Sequence, residues 1–143
     1  MYVDSTQMFS DAQALTATAV STNVVPLGTS RNIGKGEPMA VVVTFGVAAD
    51  YTTGDETYQV VIQTDALAAM GSPVTVTSSA VINGDDLGLG AKIVVPIGFS
   101  NEEFLRLNYV LAGTSPTATV DAYLMPMNMI DSYESYADNV VIS

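Results

Sequence analysis

Carboxylates are the only side chains present in numbers that could support acid–base chemistry. They occur as neighbours at Asp55-Glu56, Asp85-Asp86 and Glu102-Glu103. A glycosidase needs two carboxylates facing one sugar at a set separation. Neighbours on a strand point to opposite faces, so none of these pairs forms such a dyad by itself. Two of the pairs lie in turn-forming stretches. The third opens a possible helical turn, where acids favour the dipole. Asn83-Gly84-Asp85-Asp86-Leu87-Gly88 offers oxygens to a cation but lacks the spacing of a calcium loop, so it reads as a Gly-rich hairpin. Gly34-Lys35-Gly36 lacks the flanking spacing of a phosphate loop and the Ser or Thr after its Lys. The chain has no histidine and no cysteine. Its many Ser and Thr hydroxyls therefore lack the usual base, and Lys35 and Lys92 sit in no nucleophile motif. These residues predict no enzyme, no cofactor and no metal centre.

The elements that would carry these residues are strands. Tyr58, Val60 and Ile62 share one face, with Gln59 and Gln63 on the other. Val74, Val76, Ala80 and Ile82 alternate with mostly polar residues. Ile93, Val95 and Ile97 repeat the pattern, as do Leu105, Leu107, Tyr109 and Leu111 opposite Arg106 and Asn108. Ala118, Val120, Ala122 and Leu124 form the last such row. Met39 to Val47 is apolar on both faces, which suits a central strand covered on both sides or one facing a partner. Ala19 to Leu27 is a weaker strand, and Ser10 to Ala19 fits neither pattern cleanly. Ser100 with Glu103 matches a capping box for one helical turn, and Asp65 to Met70 predicts another turn. Gly, Pro, Asn and Asp clusters punctuate the runs. Seven short strands with such turns predict one antiparallel β-sandwich or barrel.

The composition narrows the partners. Charged residues make up 13% of the chain and hydrophobic ones 48%. Globular domains average nearer ~25% charged, so part of this surface is expected to be covered by a partner. The net charge is −11, with Arg31, Lys35, Lys92 and Arg106 the only bases. Four scattered bases cannot neutralise a run of phosphates, and an anionic membrane would be repelled, so neither nucleic acid nor membrane is expected. The first ten residues lack the positive start and apolar stretch of a signal peptide.

The ends differ from the body. Residues 1–13 hold Tyr2, Met8 and Phe9 among polar residues. Residues 126–143 hold Met127, Met129, Tyr133 and Tyr136, then Val140, Val141 and Ile142. Alternation stops at both boundaries while apolar residues continue. The expected division is a contact arm at 1–13, a β-sandwich at 14–125 and a second contact arm at 126–143.

Several blocks resemble a known family. They are Phe9-Ser10-Asp11-Ala12-Gln13-Ala14-Leu15-Thr16, Ser21 to Gly28, Arg31-Asn32-Ile33-Gly34-Lys35-Gly36-Glu37-Pro38, Phe104 to Tyr109, and Thr119 to Leu124. Together they resemble the capsid cement, or decoration, proteins of tailed bacteriophages, of the type found on a Bordetella phage. The likeness covers most of residues 5–125. It implies a jelly-roll sandwich that binds the outer surface of the head, ties neighbouring major capsid proteins together and stabilises the mature capsid. It implies a virion protein made in the host bacterial cytoplasm, with no catalytic residues. The expected partners are the major capsid protein and a second copy of the chain, in a dimer with a trimer as runner-up. The expected contact residues are Tyr2, Met8, Phe9, Arg31, Lys35, Met127, Met129, Tyr133 and Tyr136. A carbohydrate-binding β-sandwich acting as a host adhesin is the alternative, with Tyr51, Tyr133 and Tyr136 as its only suggestive aromatics. A hydrolase using paired acids has least support.

Overall fold

The computed structural model describes residues 8–26, 39–97, 104–126 and 140–142. In chain order the strands are β1 (Met8–Leu15), β2 (Ala19–Val20), β3 (Val25–Pro26), β4 (Met39–Val47), β5 (Thr57–Asp65), β6 (Val74–Ser78), β7 (Ile82–Asn83), β8 (Lys92–Pro96), β9 (Phe104–Ala112), β10 (Ala118–Pro126) and β11 (Val140–Ile142). One sheet has the order β1-β10-β4-β8-β11. The other has the order β2-β9-β5-β6, with β3 also on β9 and β7 also on β5. Reading β2 with β3 and β6 with β7 as single split strands, successive strands from β1 to β10 alternate between sheets except at β5 and β6, which are neighbours in the second sheet, as in a jelly roll. β11 is an addition to that plan, and its pairing with β8 is parallel.

Alternation builds the interior. Val41, Val43 and Phe45 of β4 and Val120, Ala122 and Leu124 of β10 point inward from the first sheet. Tyr58, Val60 and Ile62 of β5 and Leu105, Leu107 and Tyr109 of β9 meet them from the second. β5 and β9 pair without interruption from Thr57–Ala112 to Asp65–Phe104, so their inward rows stay in phase. A cavity between the sheets, beside Leu15, Phe45, Val60 and Val120, holds about 10 Å³. That is roughly the room one water requires, so the sandwich encloses no ligand chamber there.

β4 is covered on both sides, as its sequence predicts. Its other row, Ala40 and Val42, joins Val94, Tyr123 and Met125 in a second buried cluster on the outer face of the first sheet. The outer face of the second sheet is mixed instead, with half-buried Gln59, Gln63, Arg106 and Asn108.

Three expectations need correction. The N-terminal arm does not extend to residue 13, because β1 begins at Met8 and pairs with β10. Register shifts lie between Met8 and Ser10 and between Ser10 and Gln13. Each inserts an extra residue, so Phe9 and Ser10 both reach the interior and the period-2 signal is lost. At the other end, residues 140–142 form a strand of the first sheet. The expected run from Val74 to Ile82 is also two strands. Ser79 interrupts it, accepting the Val60 N–H on Oγ at 3.0 Å while its own N–H donates to the Val60 carbonyl at 2.8 Å. Val74 is exposed rather than part of an inward row, and a register shift between the Thr77 and Thr75 pairings separates it from the rest of β6.

Burial predicts where substitution matters. Leu107 is fully buried and Leu67 is 66% exposed. Leu107→Ala should cost about 2–5 kcal/mol in urea unfolding. Leu67→Ala should stay within about 0.5 kcal/mol of the parent.

Candidate functional site

Three loops meet at one end of the sandwich: 48–56 after β4, 84–91 before β8 and 113–117 before β10. Backbone bonds knit them, with Asp50 N donating to Thr117 O, Ala49 N to Leu87 O and Gly84 N to Glu56 O, at 2.9, 2.9 and 3.0 Å. The Tyr58 hydroxyl lies 2.7 Å from Asp50 O and 3.2 Å from Thr117 O. Gly113 is required here, since its φ is 98° and a Cβ would stand 2.4 Å from Asp55 O. Thr114 then donates from N and Oγ1 to the two Asp55 carboxylate oxygens, at 3.0 and 2.9 Å.

The paired acids have separate structural tasks. Glu56 is fully buried, and its carboxylate accepts the backbone N–H groups of Thr53, Gly54 and Asp55 at 3.0–3.1 Å. Burial opposes its ionisation, but these donors outweigh that and hold its pKa below the ordinary value. Asp65 accepts Ser72 N at 2.8 Å and Leu67 N at 3.1 Å, closing the β5–β6 loop. Those two donors, aided by Arg106, hold its pKa down as well. A general acid needs a raised pKa, so these two groups are poised for the opposite state. Asp85 and Asp86 lie exposed in a short 3-10 turn. Among the described residues, no three acidic side chains converge on a point that could hold a metal.

A buried polar relay crosses between the sheets. Ser10 Oγ donates to Gln13 Oε1 at 2.6 Å, so its 2.7 Å contact with the Tyr109 hydroxyl is one in which Tyr109 donates. Gln13 passes the link to β2, accepting Thr22 N and donating to Val20 O. Burial lifts the Tyr109 phenol well above its ordinary range, the Ser10 bond opposing this only in part.

The anticipated contact residues are distributed unevenly. Phe9 is completely buried in the intersheet core and presents nothing to a partner. Met8 is half-buried against the outer cluster of Ala40, Val42, Val94, Tyr123 and Met125. Tyr2, Arg31, Lys35, Met127, Met129, Tyr133 and Tyr136 lie outside the described residues, as do the Ser100–Glu103 capping box and Glu102. The structure instead exposes Val47 and Leu89 at the loop end and Leu67, Val74 and Val81 along the β6–β7 side. One sequence signal could have found Leu89, which stands between Gly88 and Gly90, where no regular row can bury it. Val74 gave no such signal, because it sits in phase with buried residues.

A protein-family model described as Bbp16 matches residues 9–124. No curated protein matches the chain.

The depressed pKa values fix a pH response. A carboxylate whose folded pKa lies below its unfolded value stabilises the fold above the unfolded value. That contribution is lost as pH falls through the folded one. The urea midpoint should therefore fall between pH 7 and about pH 3. Asp65→Asn should lower the midpoint at pH 7 and shrink that fall. Tyr109→Phe, which leaves Ser10 without its donor, should cost about 1–3 kcal/mol. A double-mutant cycle with Ser10→Ala should show the two to be coupled.

Proposed function

Because the chain belongs to the Bbp16 family, we propose that it is a structural protein of a phage particle. In this reading it binds the outer surface of the head and cements neighbouring major capsid proteins. The observation that carries it is the family match, which runs from β1 through β10 and so takes in the jelly roll. The family name fits a Bordetella phage protein. Two physical features support the reading. The charged fraction is low, and aliphatic side chains at Val47, Leu89, Leu67, Val74 and Val81 stand in water in the isolated chain. Such side chains gain by contact, each fully buried one by ~1.5–3 kcal/mol before ordering costs.

The mechanism is linkage. A protein that binds the assembled shell and not its loosened form stabilises the shell by mass action. Weak individual contacts suffice where many copies act together. No step in this requires catalysis, and Asp55, Glu56 and Asp65 act as loop closures. The carbohydrate reading keeps Tyr51, which is half-buried, while Tyr133 and Tyr136 lie outside the described residues.

Heads of the parent phage assembled without the protein provide the test. Adding the protein should raise their melting temperature and their resistance to low ionic strength, and it should co-sediment with them. Equal melting of both particles, or binding to a glycan array in place of heads, would overturn the cement role.

A further inference from the structure

We infer that the outer edge of β8 is a strand-acceptor site, filled in assembled copies by the Val140–Ile142 segment of a second copy of this chain. The inference rests on the many-copy reading above and adds the joint through which copies connect.

The sheet edges differ in what they offer. β1 carries two register shifts and a non-glycine residue at positive φ, Ala12 at 50°. β2 and β3 are two residues each. β6 follows Pro73 and is broken by a register shift between its Thr77 and Thr75 pairings. Short strands, bulges and nearby prolines are the devices that stop an edge from recruiting another strand. β8 has no register shift, and its one proline, Pro96, stands at its last position, beyond the residues that β11 pairs with. Its register against β4 runs evenly from Lys92–Thr44 to Pro96–Ala40. Its other side therefore presents a regular row of backbone groups. That is the edge β11 occupies, with Val140, Val141 and Ile142 beside Lys92, Ile93 and Val94.

Topology leaves the choice of copy open. β10 and β11 run in the same direction, with β4 and β8 between them. The chain that joins them is residues 127–139. A segment of that length spans at most about 45 Å when extended. Neighbouring strands are only about 4.8 Å apart, so the tether can serve its own β8 or that of an adjacent copy. The backbone bonds gained are the same in both cases. A reciprocal exchange therefore keeps every bond and adds the connection between copies, the low-cost route to a dimer. Local concentration then decides, and copies held side by side on a shell raise it. Val140, Val141 and Ile142 carry no charged side chain, so the joint brings no acidic side chains together despite a net charge of −11 per copy.

The absence of cysteine makes a clean test possible. Lys92 and Val140 are partners across the ladder, a spacing within the reach of a disulfide. Lys92→Cys protein is mixed with a size-tagged Val140→Cys protein, oxidised over a range of concentrations and run without reductant. A reducible mixed dimer that grows with concentration is expected. In a Lys92→Cys/Val140→Cys double variant, dimeric bridges should likewise gain on intrachain ones. Bridging within chains alone, or no bridging at all, overturns the proposal. A chain ending at residue 139 keeps its fold by circular dichroism and should sediment as monomer where the full chain is dimeric. A persistent dimer overturns the proposal as well. Trans bridges in a protein that ignores heads would sink the cement reading alone. Head binding with only intrachain bridges would sink the exchange alone.

Discussion

The inward rows of β4, β10, β5 and β9 have to remain in phase, because a slip of one residue in any of them reverses its faces. Val41, Val43 and Phe45 would turn outward, and Ala40 and Val42 would turn in. The uninterrupted β5–β9 ladder and the long β4–β10 ladder resist such a slip. Everything peripheral is hung on these four strands. β1 and β8 flank the first pair, β2, β3, β6 and β7 flank the second, and the loop end is drawn together where the ladders stop. The register also explains why β4 needs apolar residues on both faces. One row meets the opposite sheet and the other lies in the outer cluster with Tyr123 and Met125.

Polar groups inside this frame have defined tasks. Glu56 and Asp65 each gather backbone N–H groups that a tight loop would otherwise leave unpaired. Ser79 does the same where one strand becomes two. Ser10 and Tyr109 join β1 to β9 across the core. Glu56, Asp65 and Ser79 each supply an acceptor to backbone N–H groups where a strand ends or its ladder is broken.

Much of this was legible in the residues. The rows Tyr58-Val60-Ile62, Leu105-Leu107-Tyr109 and Ala118-Val120-Ala122 are inward rows because nothing interrupts their period of two. β1 was not legible, since two inserted residues put Phe9 and Ser10 on the same side and erase the alternation. The break at Ser79 was hidden for a related reason: a serine in a polar slot looks the same whether it faces water or closes a ladder. The acids could be set aside as a dyad from their adjacency alone. That Glu56 would be buried and ionised could not be foreseen, because its donors come from a turn whose shape depends on the packing of Gly113 against Asp55. The exposed aliphatics were missed because phase predicts a face but not whether a neighbour exists to cover it.

The hydroxyl pair of Ser10 and Tyr109 also sets how the protein meets strong base. The Tyr109 phenol is neutral and donating in the folded chain, with its pKa raised above the unfolded value. Its contribution is complete below the ordinary phenol pKa and disappears as pH climbs toward the raised one. Tyr58, raised by burial as well, adds to the same loss. Alkali thus attacks the core from its centre, where acid attacks the loops at Glu56 and Asp65. With seven tyrosines and no tryptophan in the chain, phenolate absorbance reads that event directly. The signal of Tyr109 arrives together with the opening of the two sheets.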